Sequence, residues 1–213
     1  MTYSIDLKKI SIKEYKELLL KQNLLPGRKI LLENIEERFR IIQDTGVFNV
    51  AELKSNLSTP HKLKEFSKTT CIPEEYLTIL RRELGSLEQK PIAIKDFPKL
   101  DEDFVQGLMR QGINTSKDYF LSSFLKVDQS QISKMLFSLC DLVRINGVGV
   151  AAARTFYEAG YRSAIDVANA NAFEMLTKVN DVNEVKQYYN ARLGEKDMQF
   201  CIDFAKLLTK FEN

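Results

Sequence analysis

The sequence predicts an all-α protein in which helical pairs pack in series as two or three repeat units. Two observations carry that expectation. Apolar residues recur at the three- and four-residue spacing of a helix face along nearly the whole chain, and no stretch alternates like a strand. One phrase also recurs three times: an apolar helix, a glycine, one apolar residue, a short polar turn, then another helix. Its copies are Ile42-Gln43-Asp44-Thr45-Gly46-Val47, Leu108-Met109-Arg110-Gln111-Gly112-Ile113 and Phe156-Tyr157-Glu158-Ala159-Gly160-Tyr161. In each, the glycine suits a left-handed helix C-cap and the next apolar residue folds back on the helix. Asn49, Thr115-Ser116 and Ser163 then stand ready to cap the helix that follows.

The elements follow in order. Ser11 opens the first helix with Glu14 three residues on, the spacing of a capping box, and Ile12, Tyr15, Leu18 and Leu19 share one face. Leu25-Pro26-Gly27 ends it as a stiff connection. A second helix is expected over residues 30–44, striped by Leu31, Ile35, Phe39 and Ile42. Shorter helices are expected near 50–53, 60–69, 73–83, 101–111, 116–124 and 129–139. The last third adds 150–159, 164–168, 172–179 and 195–211, the final one with Cys201, Phe204, Ala205 and Leu208 on a single side to cover the third repeat. The polar stretch 85–91, closed by Pro91, suits a boundary. The organisation is therefore an N-terminal helical region over 1–90 with the first degenerate copy, a middle degenerate copy over 91–140, and a C-terminal copy over 141–213.

Composition narrows the function classes. At 213 residues, with 44% hydrophobic and 28% charged residues, the chain is an ordinary globular one. No apolar run is long enough to span a bilayer and the N-terminus lacks a signal-peptide core, so a cytoplasmic location with no membrane partner is expected. Cys71, Cys140 and Cys201 are odd in number and far apart, which suggests buried thiols and neither disulfides nor a metal site. Net charge is only +2. Residues 1–30 carry seven Lys or Arg against three acids, residues 91–140 six against six, and residues 141–213 nine against ten. No region forms a polyanion cradle.

The richest stretch is Arg144-Ile145-Asn146-Gly147-Val148-Gly149-Val150-Ala151-Ala152-Ala153-Arg154. Two helices meet there in a short hairpin. Gly147 and Gly149 keep the loop flat, Val148 plugs the space between the helices, and Ala153 lets them cross closely. The second helix opens without a strong side-chain cap, so its first N–H groups face outward and suit an anion.

This arrangement resembles the helix-hairpin-helix motif, over Asp141 to about Asn180. The resemblance implies a fold of tandem helix-hairpin-helix-like repeats packed in series. It also implies a grip on the nucleic-acid backbone that reads no sequence, with Arg144, Asn146, Gly147, Gly149, Val150 and Arg154 as contact residues, while the same residues equally describe a tight turn between packed helices whose glycines serve geometry alone. Val150 departs from the Pro or small polar residue that often follows the second glycine in that motif. The whole chain also resembles DUF4332, a bacterial domain-of-unknown-function family built from such repeats. That wider likeness rests on Asn23-Leu24-Leu25-Pro26-Gly27-Arg28, Pro73-Glu74-Glu75-Tyr76-Leu77, Lys95-Asp96-Phe97-Pro98 and the hairpin.

Aligning the repeats on their glycine sets Phe97-Pro98-Lys99-Leu100-Asp101 over Ile145-Asn146-Gly147-Val148-Gly149. The middle copy keeps its plug as Leu100, but Asp101 repels phosphate where an N–H is wanted. The first copy has no such hairpin. A second basic surface is offered by Lys8, Lys9, Lys13, Lys16, Lys21, Arg28 and Lys29, which equally describe a solvated face. Phe39, Phe104, Phe156, Phe200 and Phe204 read as core, and Tyr188-Tyr189 as a stacking platform or as one inward and one surface ring.

No catalytic constellation is visible. His61 is the sole histidine and reads as a surface residue, while Asp101-Glu102-Asp103 serve a helix dipole. A non-enzyme with no cofactor, no metal and no catalytic residues is expected. Two readings remain. One is sequence-independent nucleic-acid binding through the C-terminal hairpin, to DNA or RNA. The other is a protein–protein adaptor or self-associating scaffold that binds no nucleic acid. The intact hairpin favours the first, and the near-neutral charge and two spoiled copies favour the second.

Overall fold

The computed structural model describes residues 2–22, 24–122 and 128–212, and they are all helix and loop. The chain forms two compact units, Asp6–Glu88 and Met1–Ile5 with Gln89–Asn213. The middle and C-terminal regions, separated in the sequence reading, thus share one unit with the first five residues.

The Asp6–Glu88 unit holds α1 (Ile12–Lys21), α2 (Ile35–Asp44), α3 (Val50–Asn56), α4 (Pro60–Thr70) and α5 (Glu74–Gly85). α1 has the capping box its sequence encodes: Ser11 and Glu14 satisfy each other's backbone N–H. The expected helix over 30–44 is two elements. A 3-10 turn spans Pro26–Leu32, Glu33 N–H closes on Ile30 O at 3.1 Å, and Asn34 takes a left-handed φ of 49° before α2 begins. Asparagine tolerates that angle, so the break needs no glycine. Ile12, Leu19, Leu31, Phe39, Ile42, Leu53, Tyr76 and Leu80 form the core.

The other unit holds α6 (Glu102–Arg110), α7 (Ser116–Leu121), α8 (Gln131–Leu142), α9 (Val150–Glu158), α10 (Ala164–Ala168), α11 (Ala172–Lys186) and α12 (Glu195–Phe211). α12 packs along α10 and α11, as a covering helix would, burying Met198, Cys201, Ile202, Phe204, Ala205 and Leu208. α11 runs seven residues past the expected stop, to a left-handed C-cap at Gln187 with φ 50°. Phe124, expected at the end of α7, lies outside the described residues. Three expectations of burial are corrected. Cys71 is exposed at a left-handed C-cap, and Phe104 and Phe200 are half-buried on helix edges. His61 is exposed, with Nδ1 3.3 Å from Glu65.

The three repeats share a turn in atomic detail. Gly46, Gly112 and Gly160 have φ of 85°, 79° and 97°. Asn49, Thr115 and Ser163 each accept the N–H three residues on. Thr115 is therefore the cap in the middle copy, and Ser116 is buried. Glu52, Asp118 and Asp166 each reach back to accept the N–H preceding the cap, from Phe48, Asn114 and Arg162. The N–H following the cap is also satisfied every time. Val50 donates to Ile10 O and Ser116 to Ile92 O, but Ala164 donates to the carboxylate of Asp141 at 2.8 Å. In the third copy a side chain replaces the backbone carbonyl of the first two.

Among the described residues no helix is long and apolar enough to cross a membrane.

Candidate nucleic-acid interface

The third hairpin joins α8 to α9. Arg144 N–H donates to Asp141 O, Ile145 N–H to Leu142 O and Val148 N–H to Ile145 O, which winds the chain tightly past the end of α8. Ile145 and Ala153 are fully buried and Val148 nearly so, while Gly147 and Gly149 face solvent. Val148 and Ala153, expected to lie between the helices, are thus both inside.

The two glycines differ in kind. Gly147 has φ 85°, which a side chain resists, and a Cβ there would lie 3.6 Å from the Phe200 ring. Gly149 has φ −82° and ψ 178°, an angle pair open to any residue, and a Cβ would meet nothing within 4 Å. Neither backbone strain nor packing within the chain requires glycine at 149. As the N-cap of α9 it also supplies no side-chain oxygen. The N–H groups of Asn146, Gly147, Gly149, Val150, Ala151 and Ala152 find no acceptor among the described residues. Asn146 and Val150 are half-buried.

The middle hairpin makes the contrast. Lys99 takes φ 59°, the left-handed position that aligns with Gly147. Asp101, aligned with Gly149, accepts the Phe104 N–H at 2.9 Å and caps α6 itself. Its helix start is already occupied by a carboxylate.

Both arginines expected at the interface are engaged within the protein, Arg144 wholly and Arg154 in part. Arg144 is 3% exposed, and its guanidinium is spent inside the protein. It pairs with Asp141 and Glu212, donates to Tyr3 O at 2.8 Å and Thr2 O at 3.3 Å, and stacks 4.3 Å from the Phe120 ring centroid. Burial pushes the Asp141 carboxyl above its ordinary pKa, against the pull of Arg144 and the Ala164 N–H. Arg144 therefore ties both ends of the chain to the root of the hairpin. Arg154 is half-buried: Nε donates to Glu158 Oε1 at 2.7 Å and Nη1 to Met135 Sδ at 2.9 Å. Residues 144 and 154 flank the loop in sequence, a spacing that shows their nearness but not the direction in which their side chains point.

Sequence reasoning did not find the polar chain beyond Arg154. Tyr188 hydroxyl donates to the same Glu158 oxygen at 2.7 Å and accepts from Lys99 Nζ at 3.1 Å, with that ammonium 4.7 Å from the Tyr188 ring centroid. Burial works to raise the Glu158 pKa, but Tyr188 and Arg154 outweigh it and hold it below the ordinary value. Tyr188 is thus tied by its hydroxyl, and Tyr189 has its hydroxyl buried. In the Asp6–Glu88 unit, Lys16 is paired with Glu36 and Arg28 with Glu83, whereas Lys8, Lys9, Lys13, Lys21 and Lys29 are exposed. Among the described residues no group of three or more His, Cys, Asp or Glu is placed to hold a metal.

Residues 140–186 match the family model of the SAM-like Helix-hairpin-helix tandem, about a fifth of the chain. The match begins inside α8, takes in the hairpin and α9, and ends with α11. It is to this tandem and not to DUF4332. No curated protein and no solved structure matches the chain.

Proposed function

We propose that the chain is a non-catalytic binder of the nucleic-acid backbone, with DNA the first ligand to test, and that the hairpin takes a phosphate on the N–H groups of Gly147, Gly149 and Val150. The observation that supports this best is Gly149. Neither its backbone angles nor its packing needs a glycine, yet a polar side chain at this N-cap position would compete for the N–H groups at the start of α9 that find no acceptor among the described residues. A helix start of this kind attracts anions through its dipole and binds them through its donors. The match to the helix-hairpin-helix tandem supports the same reading. With Arg144 internal, the grip is backbone-led, so it positions a strand without reading bases.

The adaptor reading draws on one observation: Ile165 and Phe173, on consecutive helices α10 and α11, are 55% and 64% exposed.

The test is fluorescence anisotropy with labelled single-stranded, duplex and branched DNA and matching RNA at low and moderate salt. Wild type is compared with Gly149→Asp, which copies Asp101 of the middle hairpin. Salt-sensitive binding that Gly149→Asp abolishes is the expected result. Absence of wild-type binding at low salt overturns the reading and turns the search to protein partners.

A further inference from the structure

Arg154 lies one turn after Val150 on the same face of α9, and helical side chains lean toward the N-terminus. Its guanidinium therefore has the reach to stand beside the exposed N–H groups. It is turned instead toward Glu158 and Met135. Glu158 is fixed in turn by Tyr188, and Tyr188 by Lys99 of the middle hairpin. The degenerate copy thus keeps a role: it holds the carboxylate that holds the arginine.

Resting on the phosphate reading above, we propose that Glu158 keeps Arg154 in reserve, and that Arg154 transfers to a second phosphate when a strand docks on the hairpin. The pair is half-buried, with side chains 13% and 21% exposed, and it rests on a single Nε–Oε1 bond, so an acceptor that engages two guanidinium nitrogens can compete for it. A phosphate offers the guanidinium a two-pronged acceptor in place of the single Glu158 oxygen it now bonds. The carboxylate left behind keeps the Tyr188 hydroxyl, the nearby positive charge of Lys186 and 21% exposure to solvent, which lessens the cost of the exchange. An isolated phosphate fills the N–H site and has nothing more to give. The ligand class is therefore a polynucleotide strand with neighbouring phosphates, in preference to inorganic phosphate or a mononucleotide.

Anisotropy with a labelled single-stranded oligonucleotide tests this in wild type, Glu158→Gln, Arg154→Gln, the double variant and Gly149→Asp, each checked for folding by circular dichroism. Glu158→Gln is isosteric and removes only the competing charge. It is expected to bind about two- to fivefold more tightly, the range of a partly exposed ion pair. That gain vanishes in the double variant. Arg154→Gln weakens binding and flattens the slope of log affinity against log salt by about 0.7, one phosphate on a single strand. Inorganic phosphate and a mononucleotide compete poorly at matched phosphate concentration.

A neutral Glu158→Gln, or a gain that survives in the double variant, overturns the reserve role. If Gly149→Asp abolishes binding while Glu158→Gln is neutral, the phosphate reading stands and the reserve arginine falls. Absence of wild-type binding overturns both.

Discussion

At the scale of single residues, the two hairpin glycines are expected to separate stability from the proposed binding. Gly147 sits at φ 85°, so Gly147→Ala is expected to cost about 1–2 kcal/mol, measurable as a lower thermal midpoint. Gly149→Asp meets no such strain and gains a capping oxygen, so its stability is expected to match or exceed wild type by a few tenths of a kcal/mol, about the margin of Asp over Gly as a cap. Under the proposed function it is nevertheless expected to abolish phosphate binding, read by anisotropy. Arg144 is the opposite case, a residue whose loss is felt only inside. Arg144→Ala strands Asp141 and Glu212 and is expected to destabilise by about 3–5 kcal/mol, read by denaturant unfolding. A variant that unfolds at the wild-type midpoint would show that this cluster does not brace the hairpin root.

At the scale of elements, the repeated turn is held by charge as much as by geometry. The Phe48 N–H holds the Glu52 carboxyl below its ordinary pKa of 4.5, aided by Asn49. Burial works to raise the pKa of Asp118, but the Thr115 and Asn114 donors hold it below 3.8. A depressed carboxylate stabilises above its unfolded pKa and ceases to as pH falls through its folded one. Both caps should therefore weaken on acidification from about pH 5 downward, and Asp118→Asn should flatten that limb of a plot of melting temperature against pH. Replacing the cap itself, as in Thr115→Ala, is expected to cost about 1 kcal/mol at neutral pH. Each helix pair was legible because its signals are local: a glycine, a cap and an acid within seven residues. The 3-10 turn ahead of α2 was not. Its apolar spacing continues that of the helix, and only the left-handed Asn34 breaks the register.

At the scale of the whole molecule, buried hydroxyl and thiol groups set the alkaline limit. Burial pushes Tyr76 and Tyr119 up from 10.0 to about 12, and Cys201 from 9.0 to about 12. Groups raised in this way contribute stability in full below their unfolded values, and that contribution is lost as pH rises through the folded ones. Unfolding is expected to begin above about pH 9–10 and to be advanced by about pH 12, with tyrosine ionisation followed by absorbance tracking loss of helix. Ionisation of all the tyrosines at the free value with the helix signal intact would contradict this. The small net charge belongs to the same scale. With +2 overall, association is expected to be modest and its salt slope shallow, one or two phosphates deep.

The all-α architecture, the three repeated turns and the place of a hairpin whose N–H groups find no acceptor among the described residues were all legible in the sequence. These depend on residues close together in the chain, where propensity and capping chemistry act. The sequence also aligned Asp101 of the middle hairpin with Gly149, and in the structure Asp101 caps α6. The partners of the flanking charges depend on the folded chain. Arg144 is claimed by Thr2, Tyr3 and Glu212, which are remote in sequence, and Arg154 by a carboxylate that Tyr188 and Lys99 hold in place. A guanidinium goes to whichever carboxylate the fold brings within reach, and linear spacing does not specify that partner.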